Sequence, residues 1–214
     1  MSVSIMPGTP LGALGEMGLQ TCKAVHYQLS PAELTEQSLK RGDGILNNTG
    51  ALIIKTGKFT GRSPKDKFIV KDEVTASEVN WNDFNLPIEE KYFFQLKEKM
   101  MQYLADKEIW VRDCYACADE KYRLSLRVIN ENPANNLFFF FFYIRPTEAQ
   151  LENFTPQWHI LQAPGFKADA AVDGTRQDNF AIMSFKHKTI LIAGTGYTGE
   201  MKKGIFSMLN FILP

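Results

Sequence analysis

Histidine and cysteine are scarce, three of each in 214 residues, and this removes several kinds of chemistry. Three cysteines cannot form the even-numbered disulfide framework of a small secreted domain, and they point to a reducing, cytoplasmic compartment. His26, His159 and His187 stand at no zinc-ligand spacing, so the Cys114-x-x-Cys117 pair lacks the two further ligands a structural zinc would need. The pair follows the strand-like segment IWVRD, where a redox motif would sit. No other thioredoxin-like pattern accompanies it, so incidental thiols at a strand end are the expectation. Excess charge is also missing: 24 Lys+Arg balance 24 Asp+Glu. No global field therefore draws the chain to nucleic acid or an anionic membrane, and any anion site must come from local placement of charge. Long apolar runs are absent too. The longest, Leu137 to Ile144, is too short to span a bilayer, and its five phenylalanines are expected to lie in an element buried on all sides. The opening MSVSIMPGTPLGALGEMG has no basic segment before an apolar stretch, so it does not read as a secretory leader.

What is present is an ordinary globular composition, 44% apolar and 22% charged, with length enough for a real core. Residues 1–24 are expected to form a short helix ahead of a main domain over 25–214. Ser30-Pro31-Ala32-Glu33 carries the cap, the first-turn proline and the capping-box acid of a helix start, and that helix should stop at Gly42. Residues 87–105 repeat apolar positions at helical spacing, and Pro133 to Pro146 brackets a further helix. Strands are expected at 51–55, 67–71, 108–113, 123–129, 155–162, 179–185 and 188–193, and a last helix after Gly199. Strands interleaved with helices imply an α/β fold with a mixed β-sheet flanked by helices.

Two glycine-bearing loops concentrate the chemistry. The stretch GTGYTGEMKKG (194–204) places Gly194, Gly196 and Gly199 as G-x-G-x-x-G between a strand and a helix. Glu200 and Met201 occupy the positions where a P-loop needs Lys and Ser/Thr. The dinucleotide reading lacks the following strand and its ribose-binding acid. What remains is a turn presenting a helix N-terminus with Lys202 and Lys203 beside it. Backbone N–H groups and the helix dipole favour an anion there, and two neighbouring ammonium groups push one another towards the neutral amine. Tyr197 can offer its hydroxyl or ring edge to a ligand. The second loop, TGKFTGRSPKDK (56–67), holds Arg62 between Gly61 and Pro64, where a guanidinium can grip a carboxylate or phosphate through two parallel bonds.

TGKFTGRSPKDKFIV (56–70) and GTGYTGEMKKGIFSMLNFILP (194–214) together closely resemble the N-terminal portion of ATP-dependent phosphoenolpyruvate carboxykinases. RLSLR (123–127), IRPT (144–147) and APGFKADAAVDGTRQDNFAI (163–182) extend the resemblance over roughly 25–214. It implies a lyase that turns oxaloacetate and ATP into phosphoenolpyruvate, CO2 and ADP in gluconeogenesis, assisted by Mg2+ and Mn2+. By the same resemblance Arg62 holds the substrate carboxylate or the departing CO2, and Tyr197 positions substrate. Lys203 ligates Mn2+ as a neutral amine and is the possible ATP contact, and Lys202 lies beside the substrate. The family's P-loop, second metal-binding His, metal-binding Asp and further substrate Arg have no counterpart within these residues. The expected partner is therefore the missing C-terminal domain, and this stretch alone is expected to be inactive. Phe141-Phe142-Tyr143 replaces the family's Asn-Met-Phe, and Ala193 its usual Gly. The competing expectation is a non-catalytic module that binds a dicarboxylate or another anion.

Overall fold

The computed structural model describes residues 3–4 and 12–213. In chain order the first elements are β1 (Val3–Ser4), α1 (Gly12–Glu16), β2 (Thr21–Cys22), β3 (Ala24–Tyr27), α2 (Pro31–Lys40), β4 (Gly44–Leu46) and β5 (Leu52–Ile54). There follow β6 (Lys67–Val70), β7 (Leu86–Ile88), α3 (Glu90–Leu104), β8 (Glu108–Ala116) and β9 (Leu124–Asn130). The remainder comprises α4 (Pro133–Phe142), α5 (Glu148–Glu152), β10 (Trp158–Ala163), β11 (Phe180–Ser184), β12 (Thr189–Ala193) and α6 (Thr198–Ile212). Eight strands form one sheet in the order β3-β8-β9-β10-β12-β11-β6-β7. The pairs β8–β9 and β11–β12 are antiparallel and the others parallel, so the sheet is mixed as expected.

Strand residues alternate between two apolar layers because successive side chains point to opposite faces. On β12, Leu191 and Ala193 join a core with Phe93, Leu96 and Met100 of α3. Ile190 and Ile192 join the other core, with Phe139 of α4 and Met201, Ile205 and Met208 of α6. A central strand buried on both faces reads as a continuous apolar run, which TILIA is. Leu14, Met17, Leu19 and Cys22 complete the α3 side, so part of the first 24 residues belongs to the core. The short helix expected there is α1, and Thr21–Cys22 after it form β2; residues 1–2 and 5–11 of that segment lie outside the described residues.

Local signals act as their chemistry predicts. Ser30 and Glu33 close the capping box of α2, and Gly42 follows its end at φ +72°. The phenylalanine run departs from expectation. Only Phe139 is fully buried, while Phe141 and Phe142 are 68% and 55% exposed. Five consecutive residues of a helix point in all directions, and α4 has the sheet on one side only. Cys114 lies inside β8 and not at a strand-to-helix turn. Its thiol is pushed well above the ordinary range by burial, an environment that leaves a thiol inert.

Charge inside the sheet is paired. Arg127 on β9 donates two bonds, of 2.7 and 2.6 Å, to the Asp113 carboxylate on β8. Tyr27 donates a third to the same group at 2.8 Å, and both charged side chains are at most 1% exposed.

Candidate functional site

The two loops read from the sequence meet at one end of the sheet. Strand β11 lies between β6 and β12: Ala181 pairs with Lys67 on one side and Phe180 with Ala193 on the other. The chain therefore enters β6 and leaves β12 two strand spacings apart, about 10 Å. Thr56 at the head of the first loop accepts a bond from Gly196 N–H at 3.1 Å. Any Cβ on Gly196 would come within 3.3 Å of the Thr56 backbone, so glycine permits the approach. At the other end of the loop Ser63 N–H donates to the Glu200 carboxylate at 2.6 Å, across 137 positions of sequence. Asp66, 2% exposed, takes a bidentate grip from Arg176 at 2.8 and 2.9 Å and a bond from Gln177 at 2.6 Å. The loop bearing Arg62 is thus tied at its start, middle and end.

The turn between β12 and α6 is fixed as firmly. Gly194 sits at φ +71° against the Asn179 backbone, and an added Cβ would meet it at 2.7 Å. Behind the turn runs a chain of buried amides. Arg112 donates to Asn136 (2.9 Å), Asn136 to Asn130 (3.1 Å) and Asn130 to Gln162 (2.9 Å). Gln162 then donates to the Thr195 carbonyl (3.4 Å), and Asn135 to that of Gly196 (2.9 Å). Buried amides this fully partnered add rigidity without leaving an unsatisfied group. Sequence reading passed over these residues. The available signal was a polar residue closing or interrupting an apolar strand, Asn130 in LSLRVIN and Gln162 in HILQA.

Of the four residues singled out, Arg62 and Tyr197 stand at this junction, and Lys203 lies further along α6 in a cleft that neither of them lines. Arg62 is exposed on the clamped loop, and Tyr197 is the N-cap of α6. The side chain of Tyr197 makes no capping bond, and its ring lies over Gly199. Lys203, half-buried, faces Lys67, and both line a cleft of about 630 Å³ with Asn85, Phe185 and Phe206. Lys67 joins the group unannounced by the sequence. Burial holds its ammonium below the usual lysine range, with Lys203 and Arg62 adding repulsion and Glu200 opposing the shift. Lys202 diverges. One position along a helix is a turn of about 100°, and its ammonium sits 5.1 Å over the ring of Phe142 on α4, while that of Lys203 sits 4.3 Å over Phe206. The lysine pair therefore straddles α6 and does not point into one pocket. Glu200 carries the remaining charge. It is 6% exposed, and burial raises its carboxyl above the ordinary range against the pull of the Ser63 N–H and Arg62.

The family model for phosphoenolpyruvate carboxykinase matches residues 23–214. The chain belongs to the phosphoenolpyruvate carboxykinase family. A relative named phosphoenolpyruvate carboxykinase (ATP) from Christiangramia forsetii is 56% identical over 94% of this chain and 38% of its own length. Those of Flavobacterium johnsoniae and Bacillus subtilis, under the same name, are 52% and 49% identical over 94% and 92% of this chain. The chain thus spans under two fifths of the length of the curated carboxykinases it matches (38% and 37%).

A divalent metal is the cofactor the family resemblance brings. Among the described residues no group of three or more His, Cys, Asp and Glu side chains is arranged to hold one. Lys203 offers a single nitrogen, and hard divalent cations ask for several oxygen ligands. These residues do not make a metal site by themselves. Among the described residues no helix is long and apolar enough to cross a membrane.

Proposed function

We propose that this chain is the oxaloacetate- and phosphoenolpyruvate-binding part of an ATP-dependent carboxykinase. The complete enzyme would convert oxaloacetate and ATP into phosphoenolpyruvate, CO2 and ADP in gluconeogenesis, in the cytoplasm. Residues 25–214 would form the substrate-binding domain, following a segment over 1–24. The observation that carries the reading is the junction itself, where the Arg62 loop is bonded to both the Gly196 turn and the first turn of α6.

Each residue has a role its surroundings suit. The Arg62 guanidinium, exposed on a tethered loop, would take a substrate carboxylate or the departing CO2 through parallel hydrogen bonds. Tyr197 leaves its helix end without a side-chain cap; Glu200 N–H bonds the Tyr197 carbonyl, while the N–H groups of Thr198 and Gly199 would be open to an anion. Its ring would set the ligand's orientation. Lys203, next to Lys67, adds positive charge, and would contribute a single ligand to Mn2+ and a contact to ATP. Lys202, on the far side of α6, would meet the substrate only at its edge. The P-loop that binds ATP, and the further ligands for Mn2+ or Mg2+, would come from the C-terminal part of the enzyme. The exposed Phe142 and Phe206, lying under the two lysines, would be covered by that part.

Two measurements test this. Isothermal titration with oxalate, a small dicarboxylate, should show binding by the chain and a 10- to 100-fold loss in Arg62→Ala, since bonds to charged groups contribute about 1.5–3 kcal/mol. Mixing the chain with a separately produced C-terminal part should yield oxaloacetate-dependent ADP formation. Equal oxalate affinity in wild type and Arg62→Ala would sink the site assignment. Binding without any complementation would favour an anion-binding module instead.

A further inference from the structure

We propose that Glu200 is a positioning residue, whose carboxylate holds the Arg62 loop at the head of α6 by accepting the Ser63 N–H and so aims Arg62 at the ligand. The inference rests on the anion-binding reading above and adds to it the device that builds the site.

Glu200 has no place in an anion site on charge alone. A carboxylate among Arg62, Lys67 and Lys203 repels the ligand those cations attract, and at 6% exposure it also bears the cost of burial. Its geometry supplies the compensation. The side chain reaches from the first turn of α6 to Ser63, the residue directly after Arg62, and closes a 2.6 Å bond. That contact and the Gly196–Thr56 bond are backbone anchors between two segments that the sheet brings side by side without joining. A charge-assisted bond to a backbone N–H is short and directional, so it fixes the loop where a flexible lysine would not. Glu200 further stands as the counter-charge to Arg62 and Lys67 while no ligand is bound.

Clamp and counter-charge can be separated with three variants of the whole chain, reading Ser63 amide exchange by NMR and oxalate affinity by titration. Glu200→Gln keeps an acceptor oxygen and removes the charge; Ser63 protection should stay within about threefold of wild type, and oxalate affinity should hold or rise. Glu200→Asp keeps the charge but is one carbon shorter. Ser63 exchange should accelerate at least tenfold and oxalate affinity fall about tenfold. Glu200→Ala should match Glu200→Asp in exchange; if it fails to fold, the Asp and Gln pair decides. The proposal is overturned if Ser63 exchange in Glu200→Asp equals wild type, or if Asp binds oxalate as well as Gln does. Should the wild-type chain itself not bind oxalate, the anion-binding reading falls, and the clamp stands or falls on Ser63 exchange alone.

Discussion

At the scale of single residues, the site is organised by small side chains as much as by charged ones. Gly199 is an example: it stands under the Tyr197 ring, and a Cβ there would overlap the ring atoms. Alanine in a helix is favoured over glycine by up to about 1 kcal/mol, so Gly199→Ala should fold at least as well as wild type. It should nevertheless turn Tyr197 away, visible as a changed ring environment in NMR and a several-fold weaker oxalate complex. A variant that melts as wild type does and keeps the Tyr197 resonances in place would show that the ring is not set by Gly199. Arg62, Tyr197 and Lys203 were legible in the sequence because glycines flank them in a pattern shared with a family. Lys67 and Glu200 were not. Lysine in a turn is commonplace, and a glutamate near a helix start reads as a dipole partner until a distant N–H is seen to reach it.

Among elements, the sheet explains which expectations held. The apolar runs of β11 and β12 and the helical periods of α3 and α6 were readable because each is set by burial on known faces. Strands β5 and β6 were expected at 51–55 and 67–71, whereas their partners β4 and β7 were obscure, since three residues are too few for a period to show. The phenylalanine run misled for the opposite reason: composition announced burial, but the sheet and α2 leave part of the helix surface uncovered. Strand β10 carries a further consequence. His159 faces Arg127 across the β9–β10 pair, and its Nε2 is buried with no hydrogen-bond partner among the described residues. Burial, with Arg127 and Lys97 adding repulsion, lowers its imidazole to about 4. The unfolded chain takes up that proton near pH 6.5, and the folded one only near 4. Stability is therefore full above pH 6.5 and lost as pH falls through this window, by up to about 3 kcal/mol. Urea midpoints at pH 7 and pH 5 should fall apart in wild type and draw closer in His159→Leu. Equal pH sensitivity in the two would remove His159 from the account.

For the whole molecule, the exposed aromatic residues are the surface on which association can be tested. Phe141, Phe142 and Phe206 are 68%, 55% and 56% exposed, and the latter two sit beside the lysines of α6. Large apolar side chains exposed to this degree mark an interaction face or an aggregation risk where they form a patch. Phe141→Ser with Phe206→Ser should leave the unfolding midpoint within about 0.5 kcal/mol of wild type, since both are surface positions. It should also reduce dye binding and light scattering at high concentration. If scattering is unchanged, self-association must involve another face.

The placement of β11 has a consequence in time. The strands that end in the two halves of the site touch only through it, so neither half can find the other until residues 180–193 have joined the sheet. Such pairings, far apart along the chain, form slowly. The nascent protein thus carries the two loops unassembled until residues 180–193 have emerged, and one misregistered strand would move Arg62 and Tyr197 apart together.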